Sequence, residues 1–270
     1  MVRGIRPFVV ARKLTALRRC RTACRPITFT PSFPTMARGL VGHTVRAVRR
    51  LGKRIVLDFD HGAALAIEPR MTGLLLLADP PDRQHLRLEF EFDGEAEYRR
   101  VWFWDRRGLG TVQLFRAGEL ERWLQTGRLG PDALEMTPES WTAALRRTRR
   151  AVKVALLDQR LVAGIGNLYA SEILHRAAIH PLRPSHSLTS REIDRLQRAA
   201  RIVLEDAVRY EGSTLGDGTY RNALNRSGGY QNVHQVYQKE GRSCPRCRRG
   251  VIQRLVQAQR STFFCPRCQQ

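Results

Sequence analysis

Apolar and polar residues follow two rhythms along the chain. Between residues 44 and 115 the period is two. HLRLEFEF (85–92) alternates as a strand buried on one face does. TVRAVRRLGKRIVLDF (44–59) ends in a strand-like run. ALAIEPRMTGLLLL (64–77) alternates, then turns continuously apolar, and YRRVWFWD (98–105) and GTVQLF (110–115) read the same way. Gly62, Gly94 and Gly108 mark turns between these runs. Short strands in succession predict a β-sandwich or barrel-like domain over residues 10–118.

Beyond residue 118 the period lengthens. GELERWL (118–124) is a short helix candidate, and RLGPDALEMTPES (128–140), with two prolines, reads as a linker. Thr137 before Pro138, with Glu139 in the first turn, is a helix start. Helical patterns follow in SWTAALRRT, KVALLDQ, NLYASEILHRAA and TSREIDRLQRAARIVLEDAVRY. The last has apolar residues at Ile193, Leu196, Ala200, Val203, Leu204 and Ala207. A stretch rich in Gly, Asn and Ser (212–232) breaks the helices before a basic tail. No repeat is present, and no apolar run reaches the ~18 residues that span a bilayer.

Charge narrows the partner. The 270 residues carry 47 Lys+Arg against 25 Asp+Glu, a net charge of +22, which points to a polyanion, nucleic acid first. Lysine occurs only at Lys13, Lys53, Lys153 and Lys239, so a lysine inside a dense motif is informative. No acidic residue precedes Asp58. An acid-free, Arg-rich start has the character of a transit peptide, or of domain sequence beside a nucleic-acid groove.

The tail holds the strongest chemical signal. Cys244-Pro-Arg-Cys247 and Cys265-Pro-Arg-Cys268 are two knuckles joined by VIQRLVQAQRSTFF, which reads as a β-hairpin. Two such pairs complete an all-sulfur shell for one Zn²⁺, and a closed shell is structural. A redox pair or disulfides are the competing readings. Cys20 and Cys24, with no second pair beside them, read as buried or idle thiols. Arginines around the knuckles favour a phosphate-contacting ribbon. Gly164-Ile165-Gly166-Asn167 between two helical patterns is a second signal. Glycines permit a tight turn, Asn167 can cap the next helix, and that helix start is suited to a phosphate.

At these residues a family becomes recognisable. LLDQRLVAGIGNLYASEILHRAAIHP resembles the helix–two-turn–helix motif of the formamidopyrimidine-DNA glycosylase / endonuclease VIII family, and QAQRSTFFCPRCQ is similar to its zinc finger. LGPDAL, RRGLG, PRMTG, LGKRIVLDF and GIRPFV extend the likeness over almost the whole chain. The resemblance implies a multidomain α+β fold. Its parts are an N-terminal β-sandwich (1–122), a linker (123–137), a helix–two-turn–helix domain with a lesion-sensing loop (138–232) and a four-cysteine zinc finger (233–270). It implies an intracellular, monomeric repair enzyme acting on double-stranded DNA with damaged bases or abasic sites. Such enzymes extrude the base, cut the glycosidic bond and cleave the strand by β,δ-elimination. Oxidised purines are the expected lesions. A non-catalytic DNA-binding zinc-finger protein is the alternative.

Roles carry over by position. Lys53 matches a lysine on a strand beside the lesion, a proton donor in elimination and a phosphate contact. Met71 matches the residue that fills the gap left by the extruded base, although pattern alone would place it in the core. Arg107 matches the arginine beside the orphaned base. Leu109 stands where the family has an aromatic wedge. Lys153 and Asn167 match phosphate contacts, with Arg149 near another. Arg260 matches the finger arginine that grips the phosphate beside the lesion and is implicated in δ-elimination. The family opens on an exposed proline followed by glutamate, whereas this chain opens MVRGIRPFV. A start codon upstream of Met1 is therefore expected. The other readings are a non-catalytic remnant, or the Met1 α-amine or Lys53 as nucleophile. Because Gly4 to Leu57 align as first-domain sequence, the transit reading recedes.

Overall fold

The computed structural model describes residues 1–21, 24–95, 97–216 and 218–270. Contacts divide it into two units, Met1–Gln125 with Tyr210–Gln231, and Thr126–Arg209 with Asn232–Gln270. The loop counted above with the helices thus falls in the strand-rich unit. The Ala223 carbonyl accepts the Leu77 N–H at 2.7 Å, and the Asn225 amide donates to the Asp79 carbonyl at 2.8 Å.

The first unit runs α1 (Val2–Val9), β1 (Leu14–Arg19), β2 (Thr28–Thr30), α2 (Phe33–Leu40), β3 (Val45–Leu51), β4 (Arg54–Phe59), β5 (Ala64–Glu68), β6 (Gly73–Leu76), β7 (Leu86–Phe92), β8 (Arg100–Asp105), β9 (Thr111–Phe115) and α3 (Glu119–Gln125). Two sheets form, β1-β7-β8-β6 and β2-β9-β5-β4-β3. Their apolar faces share one core, with Leu17, Phe90 and Phe103 from one sheet and Val48, Leu65 and Ile67 from the other. This is the expected sandwich, and the alternation of its strands is the reason for it. Two helices were invisible in the pattern. Pro7 removes a donor within α1, but Ile5 and Val9 are fully buried and pin it to the core. Proline in the first turn of α2 sits where the missing N–H costs nothing.

Register decides what shares an end of the larger sheet. Leu51 pairs with Arg54, Ile55 with Ile67, and Glu68 with Thr111. The β3–β4 turn, the β5–β6 connection and the β8–β9 loop therefore leave the same end. The segments around residue 43 and residues 60–63 lie at the opposite end, since Val45 pairs with Phe59.

The second unit contains α4 (Pro138–Arg146), α5 (Val152–Leu157), α6 (Asn167–Ala177), α7 (Ser190–Arg209) and a hairpin of β10 (Gln253–Gln257) and β11 (Arg260–Phe264). Thr137 caps α4 as its sequence predicts, its hydroxyl accepting the Ser140 N–H at 3.3 Å. On α7, Ile193, Leu196, Ala200, Val203 and Ala207 form the buried face. Among the described residues no helix is long and apolar enough to cross a membrane.

Candidate functional site

At one end of the larger sheet three loops display the expected residues. Lys53 is exposed in the two-residue turn between β3 and β4, beyond the strand expected to carry it. Gly52 makes that turn possible with φ 57°. Met71 sits between β5 and β6 and is 72% exposed, so the apolar-run reading that would bury it fails. The Arg107 guanidinium approaches the Met71 sulfur at 3.3 Å. Leu109, two residues on, is half-buried.

This display stands on a buried carboxylate. Asp105, at the end of β8, is fully buried. One oxygen accepts the Thr72 hydroxyl at 2.5 Å and the Arg107 N–H at 3.2 Å; the other accepts the Gly110 N–H at 2.7 Å. Buried Arg87 reaches across from β7 and donates twice to the Asp105 carbonyl, at 2.9 and 2.7 Å. Asp105 thus ties the Met71 loop to the Arg107 loop. Gly110 is required there, because a Cβ would lie 2.7 Å from the Phe103 ring. Arg106 donates to the Thr219 hydroxyl at 2.8 Å, fastening the 210–231 loop to the same turn. Glu211, in that loop, acts electrostatically on the Met1 α-amine, whose pKa burial lowers and Glu211 raises.

In the second unit the expected residues meet in a polar joint. Lys153 on α5 is completely buried. Its ammonium donates to Asn167 Oδ1 at 2.6 Å, Thr262 Oγ1 at 2.7 Å and the Ser261 carbonyl at 3.2 Å. All three protons are therefore engaged within the protein. Burial, and then the charge of Arg260, lowers the Lys153 pKa to about 8. Asn167 completes the joint by donating to the Ser261 carbonyl at 3.0 Å. Asn167 is the first residue of α6, as expected, but does not cap it; Gly166 holds the cap position, and the Asn167 side chain is spent on the joint. Gly164 has φ 100°, the conformation that demands glycine in this turn. Direct phosphate contact by either side chain would require one of these bonds to open.

The joint grips β11 immediately after Arg260, at the Ser261 carbonyl and the Thr262 hydroxyl. Arg260 is exposed and follows a two-residue turn, Ala258-Gln259, with φ 45° and 60°. Positive φ at both positions matches the twist of a tight hairpin. Arg149 is exposed between α4 and α5.

The four cysteines converge. Cys244 and Cys268 sulfurs are 3.7 Å apart, and Cys247 and Cys265 sulfurs 3.8 Å. A tetrahedron with Zn–S of ~2.3 Å has edges of ~3.8 Å, so the set fits Zn²⁺. N–H donors of Arg249 and Gly250 lower the Cys247 thiol to about 6, towards the thiolate that a metal binds. Burial and the neighbouring thiols push Cys268 up, a conflict that a dication removes. Gly250 admits no side chain, because a Cβ would lie 2.6 Å from the Cys265 sulfur.

Sequence reasoning missed the polar groups that fasten the finger to α6. The Glu172 carboxylate accepts the N–H groups of Gln235, Val236 and Tyr237 at 2.9, 3.0 and 2.8 Å. His175, one turn on, lies 3.4 Å from the Cys244 sulfur. Burial, with Arg246 nearby, lowers its pKa to about 4, so a neutral ring donates to the thiolate. The EILH spacing was visible, but its partners lie more than sixty residues away.

Known proteins match this arrangement. Three family models match: "Formamidopyrimidine-DNA glycosylase N-terminal domain" over residues 1–112, "Formamidopyrimidine-DNA glycosylase H2TH domain" over 129–218, and "Zinc finger found in FPG and IleRS" over 242–270. The last agrees with the cysteine geometry, and the four cysteines hold one structural Zn²⁺. A formamidopyrimidine-DNA glycosylase of Chloroflexus aggregans is 39% identical over 100% of this chain and 95% of its own. Another from Thermus thermophilus is 40% identical over 84% of this chain and 83% of its own. Among solved structures, the Lactococcus lactis Fpg in complex with DNA containing an abasic site has a TM-score of 0.87 at 29% identity, covering 99% of this chain and 96% of that one. The MutM (Fpg) protein of Thermus thermophilus has a TM-score of 0.84 at 36% identity, covering 99% and 95%.

Proposed function

Because the chain belongs to the formamidopyrimidine-DNA glycosylase family, we propose that it removes damaged bases from double-stranded DNA in base-excision repair. The abasic site is then cleaved by lyase chemistry. The observation that carries this reading is the pairing of exposed Met71 with Arg107 over the buried Asp105 anchor. A large apolar side chain held open to solvent is costly in a structural role and useful as a wedge in a base stack.

The remaining roles follow the family likeness. Met71 fills the space left by the extruded nucleotide, Arg107 enters beside the orphaned base, and Leu109 supports the wedge. Lys53 contacts phosphate and donates a proton during elimination. Arg260 and Arg149 contact phosphates directly. Lys153 and Asn167 hold the Arg260 strand, and Lys153 adds its charge through space. Oxidised purines are the proposed lesions. The enzyme acts as a monomer inside the cell, and strand cleavage follows β,δ-elimination.

An amine of the protein is proposed to attack the sugar C1′, giving the Schiff base that precedes strand cleavage. Borohydride trapping on lesion-containing duplex tests this reading, with this chain and with the same chain preceded by Pro-Glu. A covalent adduct is expected from at least one of the two. If neither forms an adduct, the enzyme reading fails and a DNA-binding zinc-finger protein remains.

A further inference from the structure

The opposite end of the five-stranded sheet carries a cluster that DNA chemistry does not use. His43 precedes β3, and Asp60 and His61 follow β4. His43 Nδ1 lies 3.0 Å from Asp60 Oδ1, and His61 Nδ1 lies 3.3 Å from the same oxygen. The two rings stack, with centroids 3.7 Å apart and planes at 28°. We propose that His43, Asp60 and His61 form a second metal site, for a divalent transition ion of the zinc type.

Three features favour an ion over an ordinary surface hydrogen bond. The ligand set comes first. Two imidazole nitrogens and one carboxylate oxygen lie within 4.8 Å of one another, and this set suits ions of borderline softness. Second, the carboxylate is anchored. Its other oxygen accepts the Thr44 N–H at 3.0 Å, while the Asp60 N–H donates to the Thr44 carbonyl at 2.9 Å. Third, the ligand atoms converge: both rings aim Nδ1 at the same carboxylate oxygen. An ion seated among the three takes the place of the ring protons now directed at that oxygen.

Access and surroundings are compatible with this assignment. The histidine side chains are 39% and 34% exposed, so an ion can enter from solvent. A cavity of about 610 Å³ adjoins both rings, with Gln113, Arg116 and Glu119 on its wall. It leaves room for the water ligands that three protein ligands leave open. The net charge of +22 opposes a cation, but charges beyond ~8 Å are largely screened at physiological salt. The site is separated from Lys53 by the length of β4.

Isothermal titration of the zinc-loaded full chain with Zn²⁺ tests the proposal. A second equivalent, weaker than the finger's, is expected. His43→Ala and His61→Ala should each weaken that equivalent about tenfold or more, and the double variant should abolish it. All three should retain finger zinc, showing that they fold, and wild-type DNA affinity. No second equivalent in the wild-type chain overturns the proposal. So does a second equivalent that persists unchanged in the double variant.

Discussion

The two units present the residues proposed to contact DNA in opposite ways. In the first, Met71, Lys53 and Arg107 stand in solvent above a buried anion, Asp105. In the second, Lys153 is itself buried, a cation closed in by neutral acceptors, and Arg260 alone of that cluster reaches outward. One unit uses a carboxylate to gather N–H and O–H donors from two loops. The other uses an ammonium to gather oxygens from two elements. The lesson is a division of labour. The exposed residue is free to meet a ligand, and a buried polar group of fixed geometry sets where it stands.

The largest test removes an anchor outright. Cys244→Ser, or chelation of zinc, should unfold the β10–β11 hairpin, since metal binding supplies the folding free energy of such a tail. Zinc content should fall below one equivalent, and DNA affinity should fall with it while the sandwich's near-ultraviolet circular dichroism persists. Normal DNA affinity would show that Arg260 needs no finger to position it. Next, Asp105→Ala strands the Thr72 hydroxyl and the Arg107 and Gly110 N–H groups. A loss of about 3 kcal/mol is expected in denaturant unfolding. Met71→Ala should leave stability within ~0.5 kcal/mol and weaken binding to lesion DNA. If the two variants behaved alike, the distinction between display and anchor would collapse.

Lys153 sharpens the comparison through pH. Its folded pKa of about 8 lies below the ordinary 10.5. Between those values the unfolded chain binds more protons than the folded one. Stability should therefore rise with pH across that window, and Lys153→Met should flatten the rise. Urea midpoints from pH 7 to 10.5 measure the effect, and an unchanged slope in the variant would count against the buried-cation description. The smallest effect is expected at the turn before Arg260. Gln259→Gly relieves a positive φ of 60° and should stabilise the finger by about 0.5–1 kcal/mol.

The sequence made the exposed tier legible, and much of the fold with it. Strand alternation, the Thr137 cap, the glycine turn and the cysteine spacing are local patterns, and each appears in the structure where it was expected. Lys53, Met71, Arg107 and Arg260 are each singled out by the motif around them, and each stands exposed. The anchoring tier was not. Asp105 meets Thr72 across 33 residues, Lys153 meets Thr262 across 109, and Glu172 meets Val236 across 64. No spacing rule links such pairs. Asp105 reads only as the polar end of a strand, and Asn167 reads as a cap because capping is the local use of asparagine. α1 and α2 escaped for another reason. Each is short and carries proline, and burial against the core outweighs that propensity.

The three N–H groups collected by Glu172 bear on how the finger acquires its ion. They hold the chain at residues 235–237 against α6 through contacts that involve no cysteine. The knuckles are thus leashed before any metal arrives, and Cys244 is delivered close to His175. Zinc capture becomes closure of a short tethered loop instead of a search by a free tail. Loss of the ion, equally, becomes a local and reversible fraying, with the empty thiols kept at high effective concentration for the next ion.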